Sequence, residues 1–446
     1  MKTLQTRWGA LETVATVTIL WVIVIAGLAL AAGYATGVTP WNAPDEPAHY
    51  NYVKYVATTG QLPELKQGDW NSVLLDRLKA AKFPPSESVD SIRYESWQPP
   101  LFYLLASPIY NATARLPLEQ RVVALRLLSV AISGVTVILV FLAVRKIFPG
   151  ELPLQLAAAG FAAFLPMRSA IAGSIDNDAL AEMVSTLILL QLIVIITSGF
   201  GTRRAVFLGL TLGVALLTKA TIYEFVPLAV VVAALSPLAK GKVGNNRWRL
   251  LGIVVGVAAL ISGWWFVRNA MVYGGVDIFG AIRHEQVVVG QPRQGRLDGA
   301  AISYLGTTLF KSSWGQFGWM GVLIDERLYF VLEMVSGVAV FGLALFLRRV
   351  LFSKGLLSPE QRASLALMGA AMGLVLAVLA YYNLTFIQTQ GRYLFPAILP
   401  IALFFVLGLR ELIAPVHAKL LLSLSVGGLA LLDFVCLTRY VIPYFR

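Results

Sequence analysis

The chain has 446 residues, of which 57% are hydrophobic and 13% charged, with a mean hydropathy of +0.73. A soluble domain carries roughly 25% charged residues, so this composition excludes a soluble enzyme and a disordered or collagen-like chain. The 36 basic residues outnumber the 24 acidic ones, for a net charge of +12, which in a membrane protein encodes topology more often than nucleic-acid binding. One cysteine and three histidines argue against disulfide frameworks, zinc clusters, haem and Cys/His catalysis.

Apolar stretches recur along the chain and predict an all-α polytopic membrane protein of about eleven spans. The first follows a basic N-terminus, but it is about 20 residues long and has no small-residue cleavage site after it, so we interpret it as a span rather than a signal peptide. The fifth is short, and its boundary with the sixth is the least defined. The spans are predicted at 11–33, 122–144, 154–172, 179–197, 205–217, 222–238, 250–267, 329–347, 363–382, 394–409 and 420–437.

Charge asymmetry predicts that the N-terminus is cytoplasmic. In that orientation the inner segments collect sixteen basic residues, among them Lys240, Lys242 and Lys354, against four acidic ones, as the positive-inside rule requires. The remaining charges balance, so the outer face is close to neutral. We expect one transmembrane domain over 1–446, with two long extracytoplasmic segments at 34–120 and 269–328.

The first outer segment contains two patterns typical of amphipathic helices that lie at the membrane surface. Residues 69–82 place Trp70, Val73, Leu74 and Leu78 on one helical face. Residues 99–116 are apolar and contain Pro108, which we expect to break the helix. This second stretch could equally form a poor twelfth span.

Directly after the first span, Pro44–Tyr50 reads PDEPAHY and brings Asp45, Glu46 and His49 to the outer membrane boundary. A carboxylate in low-dielectric surroundings is costly unless it is paired, so such a group serves as a base or binds a cation. The alternative is a solvated loop in which Asp45 is the N-cap of a following helix.

A second acidic site, Asp176-Asn177-Asp178, lies in the short outer turn between the third and fourth spans. An Asp-x-Asp pattern suits hard cations or sugar hydroxyls. It suits an ordinary turn and N-cap as well, and the spacing alone does not separate the two. Its interest is that it faces the same side as Asp45.

Basic and aromatic residues complete the outer face. Arg168, Lys219, Arg268, Lys311 and Arg392 are predicted near outer span ends, where cations either hold a lipid phosphate or simply snorkel to the interface. Aromatic stretches that include Trp97, Gln98 and Tyr393 supply platforms for sugar rings or form an ordinary interfacial belt; they lie at 95–100, 264–269, 312–319 and 390–396.

Together these residues resemble the GT-C integral-membrane glycosyltransferases, and in particular the branch catalogued as domain-of-unknown-function family 2142, related to protein O-mannosyltransferases and aminoarabinose transferases. The likeness covers most of the chain and is carried by PDEPAHY, QPPLFY, the acidic turn, the lysine after the fifth span, WFVRNAMVYG, SWGQFGW and QGRYLFP. The chain lacks the Trp-Trp-Asp motif and the large soluble C-terminal domain of the oligosaccharyltransferase branch. We therefore do not expect sequon-specific protein N-glycosylation.

The resemblance implies a prokaryotic plasma (inner) membrane enzyme that moves a sugar from a polyprenyl-phosphate donor to an extracytoplasmic glycan, lipid or protein, with inversion. It implies Asp45 as general base with Glu46 as its neighbour, and Arg392, Lys219 and Arg268 as phosphate ligands. Sugar, acceptor or metal contacts fall on His49, Asp176, Asp178, Gln98, Trp97 and Tyr393. A divalent cation such as Mg²⁺ or Mn²⁺ would be held by Asp45, Asp176 and Asp178, as in some members, whereas others act without metal.

Two other classes of protein remain open on the sequence. A transporter or flippase of polyprenyl-linked sugars would also place charged residues at span ends, although such folds usually carry internal repeats and none is visible here. A non-catalytic cell-envelope scaffold is the third possibility. No nucleic-acid partner is expected, and the sequence leaves the oligomeric state open.

Overall fold

The computed structural model describes residues 2–238, 246–291, 293, 295, 298–353 and 355–446, with the backbone alone for 2–14 and 415. Lys240, Lys242 and Lys354, three of the predicted inner-face cations, lie outside the described residues. The helices of the first half are α1 (Lys2–Gly37), α2 (Glu46–Thr59), α3 (Ser72–Ala80), α4 (Leu101–Ala112), α5 (Leu118–Ile147), α6 (Leu152–Phe164), α7 (Pro166–Ala172), α8 (Asp178–Ser198) and α9 (Thr202–Leu216).

The second half is helical as well. It contains α10 (Phe225–Leu235), α11 (Arg247–Tyr273), α12 (Ala281–Val287), α13 (Gly299–Trp314), α14 (Glu326–Phe352), α15 (Pro359–Asn383), α16 (Ile398–Glu411), α17 (Pro415–Val435) and α18 (Ile442–Phe445). Short 3₁₀ helices, Ala220–Ile222 and Gly391–Ala397, precede α10 and α16, and a π-helical turn joins α17 to α18. One antiparallel hairpin, β1 (Gln316–Phe317) and β2 (Val322–Leu323), pairs Gln316 with Leu323.

Within the described residues, eight helices are long and apolar enough to cross a membrane, and the bent pair α6–α7 would make a ninth. The predicted fifth and sixth spans correspond to α9 and α10, which have 15 and 11 residues. The prediction of an all-α polytopic fold is therefore confirmed, and the count of eleven depends on these two shorter helices.

The 58° bend between α6 and α7 follows from Pro166. Proline has no backbone N–H and disfavours helical geometry in the residue before it, and Leu165 is accordingly extended, with φ −72° and ψ 113°. The carbonyl of Ala162 loses its helical partner, and Arg168 Nη1 donates to it at 2.5 Å. Because Arg168 Nε also donates to Glu182 at 2.6 Å, this arginine serves the bend rather than an outer phosphate site.

In the first outer segment the structure corrects two expectations. Pro108 does not break α4, because the hydroxyl of Ser107 donates to the carbonyl of Leu104 at 3.1 Å and supplies the donor that proline lacks. In α3 the buried residues are Leu75 and Leu78, whereas Val73 is 79% exposed. The buried face is therefore rotated relative to the predicted one.

The helices α14 and α16 pack through glycines. A Cβ atom at Gly342 would collide with the carbonyl of Gly408, and one at Gly408 would collide with the carbonyl of Ala339. Small residues of this kind let two backbones approach closely, which is a common basis of helix association in membranes. The 391–411 span that includes α16 is the most buried span described, followed by α8.

Candidate functional site

Five charged side chains from four separate segments meet in one cluster, which we call the ionic cluster: Asp45, Asp176, Asp178, Lys219 and Arg392. Arg392 Nη1 lies 3.2 Å from Asp176 Oδ2 and 3.6 Å from Asp178 Oδ2, while its Nη2 contacts Asp45 Oδ2. Lys219 Nζ lies 2.5 Å from Asp178 Oδ1 and 3.5 Å from Asp176 Oδ1. The cluster joins residues as far apart as 45 and 392.

The backbone directs Asp45 into this cluster. Asp45 lies at the N-terminal boundary of α2 in the left-handed region, with φ 61° and ψ −3°, and its side chain does not cap the helix. Aspartate and asparagine are among the few residues besides glycine that occupy this region readily. The carboxylate instead contacts Arg392 and accepts a hydrogen bond of 2.5 Å from the hydroxyl of Tyr94.

Asp45 is also the carboxylate of the ionic cluster with the most access to solvent, since its side chain is 21% exposed against 1% for Asp176 and 14% for Asp178. Burial raises its pKa, but the Arg392 guanidinium and the hydrogen bonds from Arg392 and Tyr94 hold the pKa of Asp45 well below its usual range. In this arrangement Asp45 is ionised but is a weak base.

His49 forms the layer behind the ionic cluster. Its Nδ1 lies 2.8 Å from the hydroxyl of Tyr103 and its Nε2 lies 3.7 Å from Asp176 Oδ1. Burial, followed by the positive charge of Lys219, lowers the pKa of His49 to about 3. The imidazole is therefore neutral at ordinary pH and lies beside Asp176 without adding a charge.

Glu46, expected beside the base, lies in a different ion pair. It is fully buried, and Arg126 binds both of its oxygens, with Nε–Oε1 at 2.7 Å and Nη2–Oε2 at 2.6 Å. The backbone N–H groups of Trp41 and Ile175 also donate to Glu46, at 2.9 and 3.2 Å.

The Arg126 guanidinium that pairs with Glu46 also donates to the carbonyls of Ala35 and Val38 at the end of α1. Glu46 thus ties three segments together behind Asp45.

Arg268, expected to bind phosphate, is not part of the ionic cluster. Its Nη2 donates to the carbonyl of Pro63 at 2.5 Å, and its guanidinium packs over the rings of Trp265 and Tyr273. Lys311 is likewise engaged elsewhere, 2.7 Å from Glu326. Arg268 holds the segment around Pro63 against α11, and Lys311 joins α13 to the first turn of α14.

A close contact fixes the position of Arg392. A Cβ atom at Gly391 would collide with the backbone of Ser313 at the end of α13, and the N–H of Gly391 donates to the hydroxyl of Ser312 at 2.8 Å. The adjacent Tyr393 packs its ring against the Arg392 guanidinium, with its centroid 5.2 Å away. The close approach of Ser313 therefore explains why the QGRYLFP motif has a glycine at position 391. The sequence alone does not reveal this contact.

Many of the side-chain atoms that are buried without a hydrogen-bond partner in the described structure lie on the segments that form this site. They are Glu95 Oε2, Trp97 Nε1, Gln98 Oε1, Asn177 Oδ1, Asp178 Oδ2, Gln390 Oε1 and Arg392 Nε. Native proteins leave few such atoms unpaired. A concentration of donors and acceptors in one place is the arrangement that a polyhydroxylated ligand would satisfy.

Three residues of this site, Tyr94, Glu95 and Tyr103, were missed by sequence reasoning. Tyr94 contacts Asp45, Tyr103 contacts His49, and Glu95 lies beside Tyr94 with an unpaired oxygen. Tyr103 is the last residue of the QPPLFY motif and Glu95 begins the aromatic stretch 95–100, so their place in these motifs was the available signal. A tyrosine carries no charge, and its residue type alone does not single it out.

The described residues contain no group of three His, Cys, Asp or Glu side chains that could hold a metal ion. Asp45, Asp176 and Asp178, the candidate ligands for a divalent cation, direct oxygens at Arg392 and Lys219 instead. The arrangement does not fit a metal site, and no catalytic step is derived through one.

Residues 99–266 match the family described as dolichyl-phosphate-mannose-protein mannosyltransferase. Asp176, Asp178 and Lys219 lie inside the matched segment, and Asp45 and Arg392 lie outside it. The comparison with curated protein sequences finds no match.

Among solved structures, the chain resembles the Archaeoglobus fulgidus oligosaccharyltransferase tethered with an acceptor peptide, with a TM-score of 0.51 and 12% identity over 95% of this chain and 55% of that one. It also resembles apo ArnT from Cupriavidus metallidurans, with a TM-score of 0.50 and 13% identity over 99% of this chain and 74% of that one. The chain thus spans about half the length of the oligosaccharyltransferase. At these identities the likeness shows the fold. It confirms the resemblance inferred from the sequence, and the chain has the fold of the GT-C integral-membrane glycosyltransferases.

Proposed function

We propose that the chain is a membrane glycosyltransferase that moves one sugar from a polyprenyl-phosphate donor to a hydroxyl of a glycan, lipid or protein acceptor. The observation that carries this proposal is the ionic cluster, in which an accessible carboxylate, Asp45, adjoins two buried cations, Lys219 and Arg392. A base for the acceptor and positive charge for a phosphate leaving group are the two requirements of the reaction.

The extracytoplasmic face is the proposed side of the reaction. The ionic cluster is built from the segment between α1 and α2, the turn that leads into α8, the segment after α9 and the 3₁₀ helix before α16. The predicted topology assigns all four of these segments to the outside. We therefore assign two segments of a single domain to that face. They are 34–120, which contains the short helices and Asp45, and 269–328.

In the proposed reaction the acceptor oxygen attacks the anomeric carbon from the side opposite the phosphate. Asp45 takes the hydroxyl proton, the new C–O bond forms, and the bond between the anomeric carbon and the phosphate oxygen breaks. The electron pair of that bond leaves with the polyprenyl phosphate, whose increased negative charge Lys219 and Arg392 stabilise. A single displacement inverts the anomeric configuration.

Arg392 has two competing partners in this scheme. In the free protein it contacts Asp45 and keeps that carboxylate weakly basic. A donor phosphate bound at Arg392 draws the guanidinium away from Asp45, and the basicity of Asp45 rises as a result. The base therefore becomes effective when the donor is bound, which limits unproductive proton uptake in the free protein.

The proposal is tested with purified protein in lipid vesicles, supplied with radiolabelled polyprenyl-phosphate sugars and an extract of cell-envelope acceptors. Donor-dependent appearance of label on an acceptor supports the proposal. Label that crosses the bilayer without being transferred would indicate a transporter instead. Absence of both, with the donor unchanged in the presence of folded protein, would contradict the proposal in favour of a scaffold.

Lys219→Ala is expected to weaken binding of a polyprenyl-phosphate donor by about 10- to 100-fold. The reason is that a hydrogen bond to a charged group contributes about 1.5–3 kcal/mol. Donor titration by intrinsic fluorescence measures the effect, and the KM for the donor should rise in parallel.

The matched control for this variant is Lys311→Ala, because Lys311 pairs with the exposed Glu326 rather than with the ionic cluster. Its donor affinity should stay close to that of the wild type. Equal losses in the two variants would show that Lys219 does not act on the phosphate.

A further inference from the structure

Glu95 is a buried carboxyl group that the scheme above leaves unused. It belongs to the turn before α4, where the N–H of Ser96 bonds to the carbonyl of Arg93 at 2.9 Å and that of Gln98 to the carbonyl of Glu95 at 3.0 Å. The preceding residue, Tyr94, donates directly to Asp45. Glu95 is therefore held by a hydrogen-bonded turn at the edge of the ionic cluster.

The surroundings of Glu95 do not favour its charged form. The residue is half-buried, its Oε2 is excluded from solvent and has no hydrogen-bond partner, and no lysine or arginine among the described residues forms an ion pair with it. The two cations nearby are engaged with Asp45, Asp176 and Asp178. Burial and then the charge of Asp45 raise the pKa of Glu95 to about 8, against the opposing effect of Lys219.

A protonated carboxyl group carries an O–H hydrogen-bond donor. The unpaired polar atoms near Glu95 indicate which kind of ligand this donor would meet. Trp97 Nε1 and Gln98 Oε1 lie on the same turn and lack partners in the described structure, as does Nε of Arg392 across the ionic cluster. An oxygen-rich ligand in this space would meet three donors from Glu95, Trp97 and Arg392 together with Lys219. Ionised Glu95 would instead repel an anionic ligand.

We infer that Glu95 keeps its proton in the working enzyme and donates a hydrogen bond to the phosphate of the donor lipid. This inference rests on the proposed function and adds to it a neutral phosphate ligand beside the two cations. It follows that loss of the Glu95 proton expels the donor. Donor affinity should therefore fall as pH rises through the range in which Glu95 ionises.

The ionisable groups that face Glu95 are Asp45, Tyr94, Tyr103, Asp176, Lys219 and Tyr382. Despite burial, Arg392 and Tyr94 hold the pKa of Asp45 below its usual range, and burial raises the pKa of Tyr94 and Tyr103. Burial opposes the charge of Lys219, but the charges of Asp176 and Asp178 outweigh burial and raise the pKa of Lys219, so none of these four groups changes its protonation between pH 7 and 9. The second ionisation of a phosphate monoester lies near pH 6, so it is largely complete by pH 7.

The test measures the Kd of a polyprenyl phosphate without sugar for the full chain in detergent, between pH 7 and 9. If the protonated form alone binds, the Kd of the wild type rises about tenfold between these limits, as the competent fraction falls. Glu95→Gln keeps a donor but cannot ionise, so it should bind at pH 7 as the wild type does and show no such rise. Glu64→Gln, at an exposed position, should behave as the wild type.

The outcomes separate the inference from the proposed function. A pH-independent wild-type Kd, or the same rise in Glu95→Gln, overturns the role of Glu95 while the phosphate site stands. So does a folded Glu95→Gln that binds as weakly at pH 7 as the wild type at pH 9. Failure of wild type and variants alike to bind a polyprenyl phosphate at any pH overturns the proposed function and this inference with it. If Glu95→Gln does not fold, the wild-type profile alone decides.

Discussion

Asp45→Asn is expected to lower the rate of sugar transfer by about 100- to 10,000-fold, the usual contribution of a general base, while the protein stays folded. Asparagine occupies the left-handed backbone conformation of residue 45 as readily as aspartate, and its amide oxygen still accepts from Tyr94. The variant loses the ability to take up the acceptor proton. Initial rates at saturating donor measure the effect.

The same variant should bind the donor at least as tightly as the wild type, because Arg392 no longer contacts a carboxylate at position 45. If Asp45 is the base and Arg392 binds the phosphate, Asp45→Asn should therefore lower kcat and leave the donor Kd unchanged or lower. Asp90→Asn is the control, since Asp90 is a largely exposed aspartate paired with Lys54. Full activity of Asp45→Asn would refute the proposed mechanism.

Glu46→Ala is expected to destabilise the protein by about 3–5 kcal/mol, because it leaves Arg126 as an unpaired charge in a fully buried site. The loss includes the hydrogen bonds from the N–H groups of Trp41 and Ile175. Unfolding of the purified protein in detergent, followed by heat or denaturant, measures the change.

Glu151→Ala provides a matched comparison for the stability measurement. Glu151 pairs with Arg410 at 2.7 Å, close to the 2.6 Å of the buried pair, but its side chain is 42% exposed. Exposed pairs contribute about 0–1 kcal/mol, so this variant should unfold nearly as the wild type does. Equal stability of the two variants would show that Glu46 is not a structural anchor. Lost activity at unchanged stability would return it to a catalytic role.

A helix that spans a membrane requires a long run of apolar residues, and such a run can be recognised without knowledge of tertiary contacts. For this reason the sequence was sufficient to predict the fold class. It was less informative where a helix is short or interrupted. Pro108 and Pro166 carry the same signal in the sequence, yet α4 continues through the first and the chain bends by 58° at the second. Ser107 supplies a replacement donor in one case and Arg168 stabilises the break in the other.

The candidate site divides in the same way. Asp45, Asp176, Lys219 and Arg392 are charged residues near the ends of apolar stretches, which makes them candidates on the sequence alone, and the structure brings them together. Glu46 and Arg268 carried the same signal, but their partners could not be inferred. Arg126 lies within a predicted span. Arg268 reaches the distant segment at Pro63 through a backbone carbonyl, which has no signature in a sequence.

The ion pairs around the site differ in how much of the chain must be synthesised before both partners of a pair are present. The Glu46–Arg126 pair joins residues 80 positions apart, and its last backbone partner is Ile175, whereas the Asp45–Arg392 contact spans 347 positions. Because a chain is synthesised and inserted from its N-terminus, the anchor behind Asp45 becomes complete before half of the chain exists. The Asp45–Arg392 contact then waits for the 391–411 span, so a nascent protein acquires this anchor early and completes the ionic cluster among the last steps of assembly.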